Sequence, residues 1–191
     1  AYKDDECAEF MPKMSGGAAA IDEKTKRLTS QMHKAIAIIQ FKIEGQLIAK
    51  HPEWKMDKRR LFEHINYEKK EIEIDGKIYP MTSCHFPTIN PASPYELSPE
   101  EEMLMAKLHH SFMVCEKLHK HIKVMLQHGC MYTIINNNLL FHASCPLNED
   151  GSLKEVEIFP GKKFAGRDLM HQTGMQIRTA FQSDSDPKER E

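Results

Sequence analysis

No stretch of this sequence approaches the ~18 consecutive apolar residues that a membrane-crossing helix requires. Its first residues, AYKDDECAEF, lack the basic-then-apolar order of a secretory leader. Charge of one sign is also scarce. A formal net charge of −2 and a pI near 6.6 leave no sequence-wide basic field to attract nucleic acid or anionic lipid, so neither is an expected partner. The five cysteines, Cys7, Cys84, Cys115, Cys130 and Cys145, are odd in number, widely spread and without a C-x-x-C pair, which argues against a zinc site, a redox dithiol and a disulfide framework. A reduced, cytoplasmic setting is the expectation. What remains is ordinary for a globular chain of 191 residues: 40% hydrophobic and 28% charged residues, enough to bury a core. The start lacks methionine and the last residues, SDSDPKERE, form a charged run, so a piece of a longer chain is expected.

From about Lys24 to Lys50, Leu28, Met32, Ala35, Ile36, Ile39, Ile43 and Leu47 recur at three- and four-residue steps and predict an amphipathic helix with that stripe as its core face. Ile38, Phe41 and Ile48 widen the apolar surface. Pro52 ends this helix, and Asp57 before KRRLFEHI predicts a short second one. EIEIDGKIY, Glu71 to Tyr79, alternates around Asp75-Gly76, the strongest local signal for a hairpin with a type I′ turn. Four prolines, at 80, 87, 91 and 94, predict an extended loop from Tyr79 to Leu97. Ser98, Pro99 and Glu101 form a capping box for a helix predicted to run unbroken to His128, with Leu104, Leu108, Cys115, Leu118, Ile122 and Leu126 on its core face and Gly129 as its stop. CMYTII and LLFHASC flank Asn136-Asn137-Asn138 as a second hairpin. KEVEIF reads as a strand, GKKFAG as a basic loop, and Arg167 to Phe181 as a helix interrupted by Gly174. The expected organisation is an irregular lead-in over 1–23, a helical segment over 24–130 with its hairpin at 71–79, and a strand-containing part over 131–191. The fold class is α+β.

Several residues invite a chemical reading and receive a structural one. The histidines of the second long helix, His109, His110, His119, His121 and His128, lack the i,i+3 or i,i+4 pairing on one face that would share a metal, and are read as solvated; His33 lacks a partner at i+4. Glu100, Glu101 and Glu102 suit the positive end of a helix dipole. GKKFAGR lacks the lysine followed by serine or threonine of a P-loop, although Lys162, Lys163 and Arg167 at the head of a helix can hold a phosphate. His142, at the end of the apolar strand in NNNLLFHASCP, is a packed core residue, an acid or base, or a metal ligand. Nothing local decides.

Longer segments do. MHKAIAIIQFKIEGQ (32–46), FEHINYEKKEIEIDGKIYPM (62–81), FPTINPASPYELSPEEE (86–102) and NNNLLFHASCPLNEDGSLKEV (136–156) closely resemble the class III fructose-1,6-bisphosphatases of bacteria. The resemblance implies a branch of the calcineurin-like metallophosphatases, with an α/β sandwich core and a dinuclear manganese centre that activates water against a phosphate of fructose 1,6-bisphosphate, in gluconeogenesis. It implies that His142 is one metal ligand. The family's Gly-Asp, Gly-Asn-His and Gly-His motifs have no counterpart here, and Ala143 stands where the family usually has glycine after the strand-end histidine. The resemblance therefore implies an internal portion of the enzyme, inactive alone, with a mainly helical inserted segment before the core. Its partner is a sugar bisphosphate, and a homo-oligomer is compatible with it. The competing reading from another class is a helical assembly module with no catalysis of its own.

Overall fold

The computed structural model describes residues 2–12, 21–142 and 144–182. Its contacts divide between Ser111 and Phe112 into two units.

The first unit is organised on helix α1, Glu23–Lys50. Asp22 caps it by accepting from the Thr25 N–H at 3.0 Å, and the chain turns away at Pro52. The face packed on its own unit is not the predicted stripe. Ser30, Lys34, Ile38, Ile39, Lys42, Gly45 and Ile48 are buried, whereas Leu28, Met32, Ile36 and Leu47 stand 53, 60, 43 and 46% exposed. The reason lies in what covers the helix. A 3₁₀ segment, Asp4–Phe10, presents backbone carbonyls, and polar α1 residues meet them: Ser30 donates to the Cys7 carbonyl and Lys34 to that of Glu6. Lys34 and Lys42 contribute aliphatic stems to the packing while their ammonium groups are satisfied inside.

Lys42 marks the centre of this arrangement. Its ammonium donates to the Thr88 carbonyl at 2.6 Å and to Glu101 at 2.8 Å, with Lys42 fully buried and Glu101 nearly so. Glu101 is also the third residue of the predicted capping box: the Ser98 N–H donates to its carboxylate at 2.9 Å, and its own N–H reaches the Ser98 hydroxyl at 3.3 Å. Burial pushes the Glu101 carboxyl up, but hydrogen bonds from Lys42, Thr88 and Ser98 outweigh it and hold the group below its ordinary value. Next to this pair, Ile38, Phe62 and Tyr95 form the apolar core, joined by Tyr2, Ile65, Phe86 and Ile89. The Tyr95 ring lies directly on Gly45, where an added Cβ would fall 2.2 Å from ring carbons, so only glycine permits that approach.

The chain from Asp57 does not form the predicted helix. It makes two 3₁₀ turns, Asp57–Arg59 and Leu61–His64, and enters strand β1, Ile65–Asn66. The Phe62 N–H donates to the Tyr95 hydroxyl at 3.2 Å instead of extending a helical ladder, so tertiary packing overrides the local signal. Strands β2, Glu71–Ile74, and β3, Lys77–Pro80, pair antiparallel across Asp75 and Gly76, both at positive φ as the type I′ turn requires. β1 pairs antiparallel with β2 to give a three-stranded sheet. At the far end of α1 the single tryptophan, Trp54, stacks on His51 with ring centroids 4.2 Å apart and planes 8° from parallel.

The predicted unbroken helix from Ser98 to His128 is two helices, α2, Pro99–Met113, and α3, Glu116–His128. Cys115 sits between them in extended geometry, φ −80° and ψ 92°. No glycine or proline causes the break. Phe112, Val114 and Cys115 are all weak helix formers, so an uninterrupted ladder gains little there. The five histidines are solvent-facing as expected, with His119 half-buried and the others exposed.

In the second unit, strands β4, Tyr132–Ile135, and β5, Asn138–Phe141, form the expected hairpin, with Asn136 and Asn137 at φ 50° and 62°. GKKFAG is not a loop. Its Lys162–Phe164 is strand β7, paired antiparallel with β6, Val156–Phe159. The turn closes because the Gly161 N–H donates to the Glu157 carboxylate at 2.9 Å. Helix α4, Gly166–Gln182, runs through Gly174 uninterrupted. That glycine serves close approach: an added Cβ would lie 3.5 Å from the Met131 side chain and 3.2 Å from the Arg178 guanidinium.

Candidate functional site

The β4–β5 hairpin aims alternate side chains to opposite sides. Tyr132, Ile134, Leu139 and Phe141 share one face, matched as the cross-strand pairs Tyr132–Phe141 and Ile134–Leu139. Together with Cys145, Leu153 and Met170 they line an apolar cleft of about 380 Å³ beside the start of α4, where Arg167 is the only charged lining residue. Gly166, at φ +53° and buried, allows α4 to begin there; its missing side chain leaves space occupied by Leu153.

His142 follows β5 directly and is exposed. Its chain neighbours Phe141 and Cys145 belong to the cleft, but His142 itself is not among the lining residues. Ala143 lies outside the described residues. Among the described residues no three histidine, cysteine, aspartate or glutamate side chains converge to hold a metal ion, so His142 offers a single nitrogen donor. One donor does not fit a two-metal centre, which needs several.

The three basic candidates separate in space. Arg167, in the first turn of α4, reaches the cleft rim and lies 3.6 Å from the Asp168 carboxylate. Lys162 and Lys163 are consecutive on β7 and exposed, so they point to opposite faces of the strand pair and do not converge on one phosphate. Lys163 stands across from Glu157 in the β6–β7 register.

Arg178 was not anticipated from sequence. Its guanidinium donates to the carbonyls of Leu126 at 2.9 Å, Gly174 at 3.0 Å and Gly129 at 2.6 Å, and so ties α4 to the end of α3, where the helix dipole is negative. A visible signal was its i+4 spacing from Gly174. The Lys34 and Lys42 ammonium groups were also missed, although Ser30, Lys34, Ile38 and Lys42 fall on one four-residue row.

The described residues form an α+β chain with an exposed imidazole, His142, just beyond a strand end and one guanidinium, that of Arg167, on an apolar cleft. No solved structure matches the chain. A family model described as Firmicute fructose-1,6-bisphosphatase matches residues 1–191. Among curated proteins, the chain is 47% identical over 190 residues to a class 3 fructose-1,6-bisphosphatase of Phocaeicola vulgatus, covering 99% of this chain and 28% of that protein. It is 50% identical to the one of Parabacteroides distasonis, over 95% of this chain and 27% of that protein, and 45% identical to that of Clostridium novyi, over 94% and 27%. The chain belongs to the Firmicute fructose-1,6-bisphosphatase family. It spans little more than a quarter of the length of the curated relatives it matches. No helix among the described residues is long and apolar enough to cross a membrane.

Proposed function

We propose that this chain is an internal part of a cytoplasmic, manganese-dependent phosphatase that hydrolyses fructose 1,6-bisphosphate to fructose 6-phosphate and phosphate in gluconeogenesis. The observation that carries this reading is the match of the family model over all 191 residues, together with relatives named as class 3 fructose-1,6-bisphosphatases. In the parent enzyme His142 contributes one imidazole nitrogen to a two-metal centre whose other ligands lie outside this chain. Arg167, the only charged lining residue of the cleft, is the strongest candidate for holding a substrate phosphate, with Lys162 and Lys163 behind it because a strand separates their side chains.

Two features support a core role for the second unit. The β4–β5 hairpin carries exposed apolar side chains on both sides, with Ile135 and Leu140 lying beside Thr133 and Asn138 on the side away from the cleft. A two-stranded hairpin is marginal alone. The test is His142→Ala in the full-length enzyme. Manganese content and fructose 1,6-bisphosphate hydrolysis are expected to fall together, and an unchanged metal content at normal activity assigns His142 a structural role instead.

A further inference from the structure

Helix α3 ends without the left-handed residue that commonly closes a helix, for Gly129 has φ −76° and ψ 158°. Its N–H still bonds to the Met125 carbonyl at 2.7 Å, but the carbonyls of Leu126 and Gly129 turn to the Arg178 guanidinium of α4 instead. Gly174, one turn earlier on α4 and buried, lets that guanidinium lie over the helix backbone; an added Cβ would stand 3.2 Å from its Nη1. One planar fork thus holds two segments of the chain together.

The cleft lies along α4 from that point. At about 100° per residue, Arg167, Met170, Gly174 and Arg178 fall within roughly 80° of one another and share one face of α4. Across from them, the chain that leaves Gly129 becomes β4. Met131 comes close to Gly174. Tyr132, Ile134 and Met170 line both the cavity that reaches Arg178 and the cleft that reaches Arg167, so the two arginines stand toward opposite ends of one groove between α4 and β4. From Arg178 back to Arg167 is about 16 Å of helix, and from Gly129 on to Ile134 is at most about 17 Å of chain. The two walls run comparable lengths from a common origin, the 2.6 Å bond between Arg178 and the Gly129 carbonyl. A shift at that origin slides β4 along α4 and changes what stands across from Arg167.

We propose that Arg178 is a positioning residue for the phosphate-holding Arg167, fixing how far β4 lies along α4 and hence where the Arg167 guanidinium meets the cleft wall. The inference rests on the reading of Arg167 under Proposed function. Lysine is a poor substitute at 178, because a single ammonium on a flexible stem lacks the planar set of donors that spans carbonyls on two segments.

The test is a double-mutant cycle in the full-length enzyme, read as KM for fructose 1,6-bisphosphate. Arg167→Gln and Arg178→Lys are each expected to raise KM about tenfold, the size of a lost charged hydrogen bond. Because Arg178 acts through Arg167, the double variant is expected to match Arg167→Gln within about twofold rather than show the product of the two effects. Effects that multiply overturn the positioning role. So does an unchanged KM in Arg178→Lys beside a raised one in Arg167→Gln, and either result leaves the phosphate reading standing. An unchanged KM in Arg167→Gln removes Arg167 from the phosphate site and the positioning role with it. Where Arg178→Lys does not fold, Gly174→Ala decides: alanine favours the helix while its methyl group crowds the guanidinium. KM is then expected to rise with Arg167 present and to stay level in the Arg167→Gln background; an equal rise in both, or none in either, overturns the proposal.

Discussion

The two units use their apolar residues in opposite ways. In the first, polar side chains of α1 are turned inward and satisfied: Ser30 and Lys34 on carbonyls of the 3₁₀ segment, Lys42 on Thr88 and Glu101, with Phe62 and Tyr95 closing the core beside them. In the second, Leu169 is the only buried large hydrophobic residue among those described, while Ile134, Ile135, Leu139, Leu140 and Phe141 of the hairpin are all exposed. The first unit closes on itself through polar contacts and leaves one helix face open. The second leaves apolar side chains exposed on both faces of a hairpin.

The sharpest test of that contrast is the buried pair. Lys42→Met leaves the Glu101 carboxylate buried without its cation and is expected to destabilise the first unit by about 3–5 kcal/mol in urea unfolding. Combining it with Glu101→Leu is expected to recover a large share of the loss, since the uncompensated charge is gone; equal damage in the double variant would show that packing of the lysine stem dominates. A smaller effect is expected from Gly45→Ala. The methyl group meets the Tyr95 ring and costs about 1–3 kcal/mol by overpacking, against a gain of up to about 1 kcal/mol in helix propensity, for a net fall in melting temperature. A rise in melting temperature would mean that Tyr95 moves freely and does not pin the loop to α1. The smallest effect is expected in the second unit. Leu140→Lys on the open side of the hairpin should change the stability of this chain by no more than about 0.5 kcal/mol, because it removes no buried contact. It should also lower binding of a hydrophobic dye. Strong destabilisation would break the contrast by showing that this face is already covered.

What was legible in the sequence follows the same division. Turn chemistry read directly, because Asp75-Gly76 and Asn136-Asn137 adopt positive φ for reasons internal to those residues. The capping box at Ser98 and Glu101 was equally local. The core face of α1 was not legible by hydrophobic period, since the period finds the apolar stripe whichever partner it serves, and here the buried side was set by carbonyls of a distant segment. The break at Cys115 and the continuity of α4 through Gly174 escaped for a related reason: one has no breaker residue, and the other has a glycine held by Arg178 and Met131. For the site, His142 was singled out by its place after an apolar strand, but position alone did not choose its role. Among the described residues no three such side chains converge, and a converging set is what identifies a metal centre.

The stacked pair at the end of α1 has an optical consequence. Trp54 is the sole tryptophan of the chain and lies flat against His51, whose ring also contacts the Glu53 carboxylate at 2.9 Å. Indole emission therefore comes from a single place, the 3₁₀ turn Pro52–Trp54 that follows α1. Fluorescence of this molecule is a gauge of the helix terminus rather than of the whole fold, and it reads the first unit while remaining blind to the second.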